Sequence, residues 1–211
     1  LKATHVGDAQ TRSQYYQYDL LGRQTGALDG NVSETLGSAP SDLQIRNTIN
    51  TQGSRQEYDL LGRLIKSTDR AGRSTVFYYD KAGQLLLTVN ALGEASEQSY
   101  NAFGQMNSAR AYANRLPVNV LSSLSGGSID ASLRATLDGL QSDDDRLVSS
   151  QFDKRGQVSQ VTDALGYVSS TEYTAYGEVY RQTQQIDATR SRTDEFTYDK
   201  RGLLRFNQAD I

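Results

Sequence analysis

The chain has 211 residues, 36% of them hydrophobic, and a mean hydropathy of −0.61, which leaves little apolar material for a deep core. Its 22 basic and 25 acidic residues are mixed along the sequence for a net charge of −3, so it has neither the basic stripe of a nucleic-acid binder nor a polybasic membrane anchor. It has no cysteine, hence no disulfide or thiolate metal site, and no apolar run near the ~18 residues that read as a membrane span.

The chain opens at Leu1 without an initiator Met, and the expectation is a segment of something longer. Thirteen Tyr against 5 Phe and no Trp, with 18 Gly and only 2 Pro, suggest a regular structure that reuses one aromatic and one turn residue. In chain order the reuse is explicit. Seven copies of one unit succeed each other: Tyr18-Asp19-Leu20-Leu21-Gly22-Arg23, Tyr58-Asp59-Leu60-Leu61-Gly62-Arg63, Tyr79-Asp80-Lys81-Ala82-Gly83-Gln84, Tyr100-Asn101-Ala102-Phe103-Gly104-Gln105, Phe152-Asp153-Lys154-Arg155-Gly156-Gln157, Tyr173-Thr174-Ala175-Tyr176-Gly177-Glu178 and Tyr198-Asp199-Lys200-Arg201-Gly202-Leu203. The aromatics step by 40, 21, 21, 52, 21 and 25 residues, so the period is 21 and the long steps carry insertions.

A second turn of the same kind falls about halfway through a period: Asp69-Arg70-Ala71-Gly72, Asn90-Ala91-Leu92-Gly93 and Asp163-Ala164-Leu165-Gly166, with a looser Asp29-Gly30. The first side chain of Asp-x-x-Gly accepts from backbone N–H groups ahead of it, and Gly supplies the positive φ that closes a type I turn with a G1 bulge. Between turns lie short stretches such as Ser74-Thr75-Val76-Phe77-Tyr78 and Val158-Ser159-Gln160-Val161-Thr162, of strand length and composition. Leu85, Leu87 and Val89 share a face, whereas residues 94–99 have almost nothing to bury. The predicted fold is therefore all-β, a repeat array of antiparallel β-hairpins wetted on both faces, spanning 1–211 as a single segment. Seven hairpins, about 14 strands at ~4.8 Å, make an arc of roughly 65–70 Å, short of the ~150 Å that would close around a ~50 Å cavity.

Two stretches interrupt the array. Residues 31–51 read as an insertion or a degenerate repeat, with Ser41 to Arg46 a short helix on the first reading. Residues 113–145 form an insertion with a helix near 129–140: Ile129, Leu133, Leu137 and Leu140 make an apolar stripe behind a Ser128 cap, with Gly139 near the stop. The stripe suits either a cover for the sheet or a partner-docking helix.

No residue set reads as catalytic. His5 is the only histidine; Asp143-Asp144-Asp145 has no closing Glu at Ca²⁺-loop spacing and reads as a solvated acidic linker; the repeated YD carboxylates are explained by identical turns. No metal or cofactor is expected. Tyr rings near Arg23, Arg63 and Arg73 would suit a sugar, although cross-strand packing explains their fixed phase.

The pattern Y-D-x-x-G-R-L, a Thr-Asp-x-x-Gly turn and a Thr-containing strand back to Y-D resembles the Rhs/YD-repeat family. Residues 58–79 are a near-consensus copy, and the signature covers roughly 13–30, 53–112 and 146–206. The resemblance implies a curved, spiral-type sheet like those of Tc toxin cocoons, Rhs effectors and teneurins. It implies flanking YD repeats of the same polypeptide as partners, an enclosed toxin domain as cargo, and a secreted or cell-surface bacterial location. The family's autoproteolytic core has no recognisable counterpart here. The expected function is a wall segment of a toxin-shielding shell, and the alternative is a surface adhesin that binds glycan or a receptor.

Overall fold

The computed structural model describes residues 2–6, 12–33, 36–37 and 39–210. The chain divides into two compact units, Leu1–Ala95 with Arg115–Leu140, and Ser96–Asn114 with Gln141–Ile211. Each is an antiparallel sheet whose strand order matches the chain order.

The first unit contains β1 (Lys2–Val6), β2 (Arg12–Tyr18), β3 (Gln24–Leu28), β4 (Ser54–Tyr58), β5 (Leu64–Thr68), β6 (Ser74–Tyr79) and β7 (Leu85–Val89), with α1 (Gly30–Ser33) and α2 (Asp42–Gln52) between β3 and β4, and with α3 (Val118–Leu121) and α4 (Ala131–Leu140). The second contains β8 (Ala95–Tyr100), β9 (Met106–Ala111), β10 (Arg146–Phe152), β11 (Val158–Thr162), β12 (Val168–Tyr173), β13 (Val179–Gln185), β14 (Ser191–Tyr198) and β15 (Leu204–Asp210). The array of antiparallel hairpins is thus the fold. Where the sequence predicts one inserted helix, the described residues hold four helical segments.

The two units differ in burial. In the second, among described residues from Ser96 onward, no strand side chain is buried, as expected of a sheet wetted on both faces. In the first, that expectation fails because the two insertions cover apolar side chains. Ile45 and Ile49 of α2 form a buried cluster with Leu28. Residue 26 is Gly because a Cβ there would stand 2.4 Å from Ile49 Cγ2. Further along, Val76 and Tyr78 of β6 and Leu87 and Val89 of β7 are buried, as are Leu116, Leu124, Leu133 and Leu137 of the second insertion.

The helix ends show how local chemistry set these covers. α2 starts at a capping box, with Gln44 N donating to Ser41 Oγ and Ser41 N donating to Gln44 Oε1. α4 begins two residues later than the Ser128 cap predicts: the Leu133 N–H donates to Asp130 Oδ1 at 2.7 Å, so Asp130 takes the capping role in place of Ser128. Leu133 and Leu137 are buried on α4, while Ile129 and Leu140 are half-buried. Asp29-Gly30 makes no second-type turn but leads into α1.

The candidate functional site lies at the repeat junctions

Every YD turn is built by its own carboxylate or its substitute. In the first, Asp19 Oδ1 accepts from Leu21 N and Arg23 N, both at 2.9 Å, and Asp19 Oδ2 accepts from Arg23 Nε at 2.6 Å. Asp59 repeats all three contacts with Leu61 and Arg63. In two turns the first and fifth residues change together as a matched donor and acceptor. Asn101 Nδ2 donates to Gln105 Oε1, and Thr174 Oγ1 donates to Glu178 Oε2. The backbone N–H groups of Arg23, Arg73 and Leu203 are the main cause holding the carboxyls of Asp19, Asp69 and Asp199 below their ordinary value. The turn glycines adopt φ between 76° and 88°, where only Gly is free of strain.

Past each turn lies a feature that the sequence does not reveal. At each YD aromatic the register slips, and one residue on the return strand has no opposite partner. It is always the seventh residue after the aromatic: Thr25, Ile65, Leu86, Asn107, Ser159, Tyr180 and Arg205. Such a bulge bends its strand away from its neighbour. Successive repeats accordingly stay paired only as far as the eighth residue after one aromatic and the third before the next, as in Gly26 with Arg55, Lys66 with Val76, Ser108 with Ser149, Gln160 with Ser170 and Arg181 with Glu195. Beyond that pair the strands part, and side chains span the gap.

Two links recur. The tyrosine hydroxyl donates to the carbonyl six residues after the preceding aromatic: Tyr79 to Leu64 O at 2.7 Å, Tyr173 to Val158 O at 2.8 Å and Tyr198 to Val179 O at 2.9 Å. Tyr58 lies 3.1 Å from Gln24 O and 2.8 Å from Gln56 Oε1. Burial raises the Tyr79 phenol above its ordinary 10.0, which keeps it a donor. The second link is the fifth turn side chain, which reaches the next turn. Arg63 Nη1 donates to Asp80 O at 3.0 Å, Gln105 Nε2 to Gly156 O at 2.7 Å and Gln157 Nε2 to Gly177 O at 3.0 Å. Gly156 is doubly constrained, since a Cβ would also stand 3.0 Å from Gln105 Nε2. The Arg23 and Arg63 guanidinium groups lie 4.7 and 4.8 Å over the Tyr58 and Tyr79 rings. Those ring faces, read from sequence as sugar platforms, are therefore covered by the chain's own arginines. Arg73 instead pairs with Asp69.

Replacing Tyr79 by Phe should cost about 1 kcal/mol, the typical worth of one neutral hydrogen bond, without unfolding the sheet, because Phe152 occupies the same phase. Urea midpoints at equal slope would measure it; no change would mean that water already replaces the hydroxyl link.

The remaining sequence candidates fall elsewhere. His5 lies on β1 opposite Ser13. Asp143 and Asp144 are exposed, but Asp145 is no linker residue: it is 8% exposed and binds Arg110 Nη1 at 2.7 Å, Ala113 N at 3.0 Å and Ser142 Oγ at 3.2 Å. It was missed because its partners precede it in sequence by up to 35 residues. Among the described residues, no group of three His, Cys, Asp or Glu is placed to hold a metal, and no helix is long and apolar enough to cross a membrane.

Residues 58–95, which hold two of these YD turns and the junction between them, match the RHS repeat family model. This stretch is an RHS repeat. Among solved structures, the chain is similar to TcdB2-TccC3 without its hypervariable C-terminal region, at 16% identity over 95% of this chain and 12% of that one, TM-score 0.42. It is also similar to TcdB2-TccC3-Cdc42, at 17% identity over 97% and 12%, TM-score 0.35, and to the Photorhabdus luminescens Tc holotoxin pore, at 17% over 97% and 13%, TM-score 0.39. The chain spans about an eighth of the length of those chains. No curated protein matches it.

Proposed function

We propose that the RHS-repeat array is a structural wall segment of a larger secreted bacterial protein, whose shell encloses or shields a toxin or effector cargo. The observation that carries this reading is the recurrence of the junctions: the same bulge and the same ladder end recur between repeats, and the tyrosine hydroxyl and the fifth turn side chain link several of them. An assembly rule that needs only a preceding copy of itself extends a wall without specialised parts, and its neighbours are flanking repeats of the same polypeptide. The role is mechanical rather than catalytic.

Limited proteolysis of the longer polypeptide carrying this segment tests the reading. Cargo sequences should resist cleavage while the wall is intact and should be cut early when Tyr79, Tyr173 and Tyr198 are together replaced by Ala. Equal cargo cleavage in both proteins would remove the shell reading.

A further inference from the structure

We propose that the cleft between the ends of the β8–β9 and β10–β11 hairpins is a docking site for an extended polypeptide segment with glycine at its bridging position. The chain itself supplies the precedent. At the junction of β5 and β6 the ladder ends at Lys66 and Val76, and the gap beyond it holds the segment around Gly127. Gly127 N donates to Phe77 O at 2.9 Å, and Tyr79 N donates to Gly127 O at 2.7 Å, a parallel bridge beside Tyr78. The fit demands glycine at two successive positions: the bridging Gly127 adopts a φ of 91°, and a Cβ on Gly126 before it would stand 2.4 Å from Ile65 O.

The junction of β9 and β10 has the same register. Its ladder ends at Ser108 and Ser149, the eighth residue after Tyr100 and the third before Phe152, as Lys66 and Val76 are to Tyr58 and Tyr79. Ser150 therefore stands where Phe77 stands, Phe152 where Tyr79 stands, Asn107 where Ile65 stands and Met106 where Leu64 stands. Equal register places Ser150 O and Phe152 N on the β9 side, the two backbone groups that an added strand would use. Here the gap is a cleft of about 750 Å³, lined among others by Asn101, Phe103, Asn107, Ser150, Gln151 and Phe152.

Of the seven YD aromatics only Phe152 lacks a hydroxyl, so the Met106 carbonyl receives no counterpart of the bond from Tyr79 to Leu64 O. The aromatic rim at the exposed Phe103 and the amides of Asn107 and Gln151 suit a peptide backbone, which alternates donors and acceptors. The site stands whether or not the array walls a shell.

The test adds a synthetic peptide copying residues 122–129, Ser-Ser-Leu-Ser-Gly-Gly-Ser-Ile, to the isotopically labelled 211-residue chain, with amide signals tracked by NMR. The Ser150, Gln151 and Phe152 amides should move in a saturable way. A peptide with Val in place of both glycines should bind less well than the parent. Movement confined to β5 and β6, no movement, or a Val-substituted peptide that binds as tightly as the parent would each overturn the proposal, as would movement of these amides by an oligosaccharide and not by the peptide.

Discussion

Replacing Leu137 by Ala should lower the stability of the first unit by about 2–5 kcal/mol, the range measured for large-to-small changes at buried sites. Leu137 is 0% exposed at the centre of the α4 stripe, on the insertion that covers apolar side chains of this unit. The backbone around it has little room to collapse into the void, because the same insertion is tied down at two places. Leu116 N donates to Gly93 O at 2.8 Å, and Gly127 is bonded to both Phe77 and Tyr79. Ala at Leu140, half-buried at the helix end, should cost less, since water already reaches part of its surface. Urea unfolding of the two variants supplies the comparison. Equal losses, or a loss under about 1 kcal/mol at Leu137, would mean that α4 is a loose cover and not part of the core.

Asp145→Ala should be nearly as damaging, at about 2–3 kcal/mol. The Asp145 side chain is 2% exposed and that of Arg110 23%, so removing the carboxylate leaves a largely covered guanidinium and the N–H groups of Ala113 and Ser142 without their acceptor. Fully buried pairs lose about 3–5 kcal/mol on such truncation, and the partial wetting of Arg110 reduces that figure. Burial alone pushes the Asp145 carboxyl up, but the Ala113 N–H, the Arg110 guanidinium and Ser142 outweigh it and hold the carboxyl below 3.8. A carboxyl lowered by folding contributes stability that is present in full above its unfolded value and lost as pH falls through its folded value. The advantage of the native chain over Asp145→Asn should therefore be widest near neutral pH and shrink below about pH 4. A gap that stays constant between about pH 7 and about pH 3 would show that shape, and not charge, makes the clasp.

What could be read from the sequence was what is local. A YD turn is closed by atoms two to four residues apart, such as Asp19 with Leu21 and Arg23, so its chemistry lies within a short window of the chain. The bulge at Ile65 and the hydroxyl bond from Tyr79 to Leu64 join residues whose proximity exists only once the hairpins pair, and no spacing rule for one hairpin contains them. A weaker signal was present. Arg or Gln comes directly after the turn glycine at 23, 63, 84, 105 and 157, and a long donor fixed at that phase points to a contact beyond its own turn. Ser41 and Gln44 likewise spelled a capping box that settles the first insertion as helix. The cleft beside Phe152 was legible only as one Phe among tyrosines, and its shape depends on the pairing of strands far apart in sequence.

The junction also sets what kinds of length change the gene can tolerate. Most copies plug a tyrosine into a socket on the return strand upstream, Phe152 being an exception, so a whole period can be duplicated or lost and the copies on either side meet on familiar terms. A cut that removes a fraction of a period breaks that grammar, leaving one hydroxyl facing the wrong carbonyl and one arginine without a turn to reach.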